Sequence, residues 1–180
     1  MKQGFVWVGL AVCVACGAVD GTPDAGGLDG GLLSDAGALA SDAGFTPTPY
    51  TYDLPEYWEA VNLLLLEPGN NPTTEEGVAL GRRLFYDKQL SVDDTLACAG
   101  CHLQEKGFSD PNRLSKGVRE QLGTRQAMPL ANATWNFLLF WDGRAQGLED
   151  QARGPVENPV EMDQTWEAAV AKLQADPEYP

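Results

Sequence analysis

Histidine occurs once in this chain, at His102, so any site needing a second imidazole is excluded. Positive charge is also scarce. Lys and Arg total 12 against 26 Asp and Glu, giving a net charge of −14, the opposite of a nucleic-acid-binding surface. Long apolar runs are lacking: residues 5–15 form the only leader-like run, too short to span a bilayer comfortably. Alternating apolar and polar residues are lacking too, and this argues against a strand-built fold. Cysteine is limited to four residues, two of them in the leader. The other two stand in Cys98-Ala99-Gly100-Cys101-His102.

That pattern, C-x-x-C-H, is the signature of covalent c-type haem attachment. Two thiols add across the vinyl groups of one haem, and the adjacent imidazole ligates the iron axially. Two other readings compete. A zinc site takes four Cys or His ligands, and only Cys98, Cys101 and His102 cluster here. A thioredoxin-like pair belongs beside alternating strands and helices, which do not surround Cys98.

The N-terminus points the same way without sharing a residue. Residues 1–16 read as an export signal, with Lys2 before the apolar run. Ala15-Cys16-Gly17 resembles a bacterial lipobox, which makes Cys16 the candidate lipidation site. Cys13 follows the bulkier Val12, and cleavage near Ala18 is the plain-signal alternative. Residues 17–49 carry Asp20, Asp24, Asp29, Asp35 and Asp42 among Gly, Ala, Ser and Pro. Such a segment buries too little apolar surface to offset its conformational entropy, so a disordered tether is expected. Export to the periplasm or cell envelope of a bacterium follows, with membrane contact only through a lipid anchor.

The folded part is expected over residues 50–180. Trp58, Val61, Leu64 and Leu65 have helical spacing over 54–66. Thr73-Thr74-Glu75-Glu76 marks a helix start, and Val78, Leu80, Leu84 and Phe85 carry that helix to about Asp87. Residues 103–126 read as a long polar loop. Trp166, Ala169, Val170 and Leu173 share one face of a helix over 165–175. The expected class is all-α: a c-type cytochrome domain with long loops around a covalent haem. The sequence stops just after that helix, which predicts continuation past Pro180.

Several blocks between Gly77 and Met162 extend the motif. They are Leu80-Gly81-Arg82-Arg83-Leu84-Phe85-Tyr86-Asp87, Lys106-Gly107-Phe108-Ser109-Asp110, Trp141-Asp142-Gly143-Arg144-Ala145, Gln151-Ala152-Arg153-Gly154-Pro155 and Asn158-Pro159-Val160-Glu161-Met162. Together they resemble the N-terminal, peroxide-reacting domain of bacterial dihaem cytochrome c peroxidases and MauG. The resemblance implies a haem peroxidase that reduces hydrogen peroxide with electrons from a small cytochrome c or cupredoxin. It implies a second haem domain beyond Pro180 and allows a homodimer.

By the same resemblance, Glu161 is the catalytic acid–base and Gln151 a distal-pocket hydrogen-bond donor. Pro155 shapes access, and Trp141 carries electrons between two haems. Arg144 anchors a haem propionate or pairs with Asp142. Gln126 stands where the family usually has an asparagine contributing to a calcium site. Val118 stands where many members have a distal histidine, so an open ferric haem is expected. Alternatives remain: a MauG-like oxidase that modifies a protein side chain, and an electron-transfer cytochrome. The second would need Met128, Lys116 or Lys106 as a sixth iron ligand.

Overall fold

The structure is a computed structural model, and it describes residues 46–54, 56–57 and 71–179. The expected signal segment with Cys16 lies outside the described residues. So do most of the expected tether and most of the helix over 54–66.

Helix α1 spans Glu75–Tyr86 and begins where the acidic start signal predicted. The Thr74 hydroxyl oxygen accepts from the Gly77 N–H at 3.0 Å, satisfying one of the helix's unpaired N-terminal donors. Glu75 and Glu76 complement the helix dipole in the first turn. Thr48, inside the stretch expected as tether, already pairs with this helix start. Its carbonyl accepts from Glu75 N–H at 2.9 Å, and its N–H donates to the Glu76 carboxylate.

A short turn, Lys88–Leu90, leads to α2, the single-turn helix Cys98–Cys101. Residues 102–132 are the long loop, folded by short turns at Gln104–Lys106 and Val118–Glu120. Isolated bridges Leu103↔Ser109 and Lys116↔Leu122 close two sub-loops.

The all-α expectation needs one correction. Strands β1 (Leu138–Leu139) and β2 (Ala145–Gln146) pair antiparallel, Leu138 with Gln146 and Leu139 with Ala145. Phe140 and Gly143 both adopt positive φ, 63° and 70°, and they reverse the chain between the strands. Two residues per strand are too few for alternation to be visible in sequence.

Helix α3, Leu148–Glu157, contains Pro155. Proline lacks an N–H, so the Gln151 carbonyl loses its helical donor. Helix α4, Trp166–Ala175, is capped by the Thr165 hydroxyl accepting from Ala168 N–H at 3.2 Å. Among the described residues the buried apolar side chains form two clusters. The larger joins Leu84, Leu90, Val156, Met162, Ala169 and Leu173. The smaller joins Ala133, Leu139 and Ala145, with Met128 and Phe140 against it. Lys172 ties α4 to the residue 91–94 turn through the Ser91 carbonyl at 2.9 Å and Asp94 at 2.6 Å. Arg83 of α1 holds Glu178 at 2.6 Å and stacks on Tyr179.

Candidate functional site

A cavity of about 600 Å³ borders both clusters, within the roughly 300–1,000 Å³ range of cofactor pockets. The sequence-named residues converge on it: Cys98, Cys101 and His102 from α2 and its cap, Gln126 and Trp141, and Gln151, Pro155 and Glu161. Cys16 lies outside the described residues.

The α2 wall fits a covalently held haem. Cys98 and Cys101 are free thiols one helical turn apart, and both line the cavity. Burial pushes both thiols up to about 11, and the negative charges of Asp110 and Glu161 add to this at Cys101. Burial also lowers the His102 pKa, favouring a neutral imidazole. The His102 Nδ1 lies 3.0 Å from the Phe108 carbonyl oxygen. Placing the proton on Nδ1 leaves Nε2 as a lone-pair donor, the usual arrangement behind a metal-bound histidine. Phe108 reaches this position in the left-handed region at φ 57°, after Gly107 at φ 66°. A strained residue aims the carbonyl at the imidazole.

Glu161, half-buried, belongs to the turn that follows α3. Burial raises its pKa above the ordinary carboxyl value, opposed by a hydrogen bond from Asn158 and by the charge of Arg144. Asn158 Nδ2 donates to Glu161 Oε1 at 2.8 Å. Gln151 is 7% exposed on α3 and lines the same cavity. Glu161 and Gln151 therefore share one chamber with the thiols and the imidazole.

Val118, the residue at the expected distal-histidine position, is 1% exposed. Its N–H donates to the Glu161 carbonyl at 2.7 Å. Gly117 packs so tightly that a Cβ there would lie 1.8 Å from the Val160 carbonyl oxygen. Arg119 pairs with Asp163 at 2.6 Å, and both have positive φ. The loop is thus fastened to the Glu161 turn at several points.

Trp141 is 61% exposed, and its indole N–H donates to the Gln126 carbonyl at 2.8 Å. The Gln126 side chain donates to the Asp110 carbonyl. Among the described residues no group of three or more His, Cys, Asp or Glu could hold a metal ion. Asp142 pairs with both Arg125 (2.7 Å) and Arg144 (2.8 Å), and Arg125 foremost holds its carboxyl down to about 2. Arg144 takes the Asp142 option foreseen from sequence, and its guanidinium also stacks 3.5 Å from the Phe140 ring centre.

Sequence reasoning gives Asn158, part of the Asn158–Met162 block, no role of its own, and does not single out Gly117. An Asn-Pro pair after a helix does signal a turn, but nothing in the sequence says that its carboxamide meets Glu161. The contact of Gly117 with residue 160 is non-local and leaves no trace in sequence spacing.

A helical domain with two thiols and an imidazole on one wall of a cofactor-sized chamber, and a glutamine and a glutamate lining the same chamber, fits a c-type haem domain. The family model for di-haem cytochrome c peroxidase matches residues 75–180, and the chain belongs to that family. The cytochrome c peroxidase Ccp of Escherichia coli (strain K12) is 43% identical over 112 residues, 62% of this chain and 24% of that protein. The methylamine utilization protein MauG of Methylorubrum extorquens is 40% identical over 112 residues, 62% of this chain and 32% of that protein. A crystal structure of a MauG-like protein associated with microbial copper homeostasis matches with TM-score 0.65 and 37% identity. It covers 72% of this chain and 38% of the other. The chain thus spans about a quarter to a third of the curated relatives described here.

Proposed function

We propose that this chain is the peroxide-handling domain of an exported bacterial dihaem peroxidase. The reaction is H₂O₂ + 2e⁻ + 2H⁺ → 2H₂O. Cys98, Cys101 and His102 would hold a haem, which would supply the redox-active iron for this chemistry. Glu161 moves the proton from the near to the far peroxide oxygen, and the Gln151 carboxamide hydrogen-bonds and orients the ligand. Pro155 walls the chamber beside them. Trp141 would carry electrons in from the second haem that a dihaem protein implies, fed by a small cytochrome c or cupredoxin. A lipid anchor at Cys16 and a tether ending before Thr48, which is already bonded to α1, hold the domain off the membrane. Calcium through Gln126 belongs to this reading, as does a homodimer.

The observation that carries the reading is the meeting of Glu161 and Gln151 with the Cys98–His102 wall in one cavity. The carrier alternative needs a sixth ligand. Met128 and Lys116 line the same cavity, Met128 also packing on the Ala133 cluster and Lys116 pairing with Glu120, whereas Lys106 is not among the lining residues. A MauG-like oxidase is the second reading, favoured by the 40% identity to MauG. With Val118 at the loop and His102 the sole histidine, this chain offers no second imidazole to close the iron, so a ferric haem here would be open to peroxide without prior reduction. Stopped-flow mixing of the fully oxidised, full-length protein with stoichiometric peroxide tests this. A prompt change in a high-spin ferric spectrum is expected. A low-spin spectrum that stays inert until an electron is added would refute it. Steady-state turnover of Glu161→Gln in the full-length protein should fall about 10²–10⁴-fold. Unchanged turnover removes Glu161 from the reaction.

A further inference from the structure

Asn158 closes α3, and all its polar atoms except the backbone N–H bond to the next few residues. Its backbone N–H donates to the Gly154 carbonyl at 3.0 Å. Its backbone carbonyl accepts from the N–H groups of Glu161 (2.9 Å) and Asp163 (3.0 Å). Its side-chain Oδ1 accepts from Val160 N–H at 3.0 Å, and its Nδ2 donates to Glu161 Oε1 at 2.8 Å. One residue therefore grips Glu161 by both its backbone and its carboxylate. The Val160 bond fixes the carboxamide's own rotation, because the amide oxygen can lie only where that N–H points. With the oxygen set, the NH₂ is aimed at Oε1. Among the described residues no donor reaches Oε2, and Glu161 lines the cavity.

We propose that Asn158 is the positioning residue for the Glu161 carboxylate, with its amide oxygen anchored on Val160 and its amide nitrogen holding Oε1. The proposal rests on the acid–base reading of Glu161 and adds to it how the carboxylate is kept in place and ready to accept a proton. A donor to the ionised form favours that form, so Asn158 opposes the effect of burial. The other titratable and charged groups lining the cavity are the thiols of α2, the His102 imidazole that caps it, Arg144 and Asp142 of the hairpin, and Lys116 and Arg125 of the loop. Arg125 and Arg144 are paired with Asp142, and Lys116 with Glu120, so each keeps its partner when Asn158 is changed.

Asn158→Asp separates the two roles of the side chain. Aspartate keeps an oxygen for Val160 N–H, so the turn survives, but it loses the donor to Glu161 and sets a second carboxylate beside it. In the haem-loaded, full-length protein, the acid limb of kcat/KM for peroxide should move up by about one pH unit or more. The rate below that limb should fall roughly 10- to 100-fold, the range expected for a hydrogen bond to a charged group. Asn158→Ala loses both bonds and should show the same shift together with a lower Tm. A readout independent of turnover is the Glu161 carboxyl titration, followed by infrared difference spectroscopy with Glu161→Gln as the blank. An upward-shifted titration in Asn158→Asp supports the proposal. A titration and pH–rate profile that match the unmodified protein, with the fold intact, overturn it. If Glu161→Gln turns over normally while the titration shifts, the acid–base reading fails and the positioning role for catalysis fails with it.

Discussion

At the scale of single residues, the site depends on how burial and hydrogen bonds set protonation. Burial lifts the Glu161 pKa above the ordinary value. The basic form is therefore lost earlier on acidification than for a solvated glutamate, and the acid limb of peroxide turnover should lie above the usual carboxyl range. A pH–rate profile of the full-length protein checks this, and a limb at or below pH 4.5 would contradict it. Asp142 behaves in the opposite sense. Its folded pKa is depressed from 3.8 to about 2, so its contribution to stability is complete above the unfolded value and fades as pH falls from about 4 to about 2. Trp141 makes a third case. Trp141→Phe keeps an aromatic ring but loses the bond to the Gln126 carbonyl. We expect slower electron delivery and lower turnover with haem attachment intact, measurable by rapid-mixing kinetics. Equal rates would exclude Trp141 from the electron path.

At the scale of elements, caps and close approaches decide whether the walls of the cavity stay in place. Thr165→Ala removes the cap of α4 and should cost about 1 kcal/mol, read as a lower Tm with unchanged spectra. Gly117→Ala is more damaging. A methyl cannot share space with the Val160 carbonyl, so the loop must lift from the Glu161 turn. Loss of stability and altered peroxide kinetics together are expected, and a variant unchanged in both would show that the loop can yield. The elements also show what was legible beforehand. Helices α1 and α4 were readable because their caps and apolar spacing are local. Helix α3 was not, because Pro155 and Gly154 argue against a helix while packing of Val156 into the core and of Gly154 under Phe140 overrides them. The two-residue ladder was invisible for want of length. The site residues were nameable because the haem motif and the family blocks survive as contiguous words. Their convergence was not, since residues 98, 118, 141 and 161 are joined only by the tertiary structure.

At the scale of the whole molecule, the described residues form a cup around a cofactor-sized chamber. None of their helices is long and apolar enough to cross a membrane. The loop carrying Val118 and the turn carrying Glu161 are bound through Val118 N–H to Glu161 O and Gln121 Nε2 to Pro159 O. The Arg119–Asp163 ion pair adds to them. Within each segment, Gly117 N–H bonds Gln121 O, and Glu161 N–H bonds Asn158 O. Neither segment can open without releasing the other, so they should unfold locally as one cooperative unit. In hydrogen exchange, the amides of Gly117, Val118 and Glu161 should share one opening free energy and one dependence on denaturant. Whatever fluctuation admits water behind Val118 would then also release the carboxylate of Glu161.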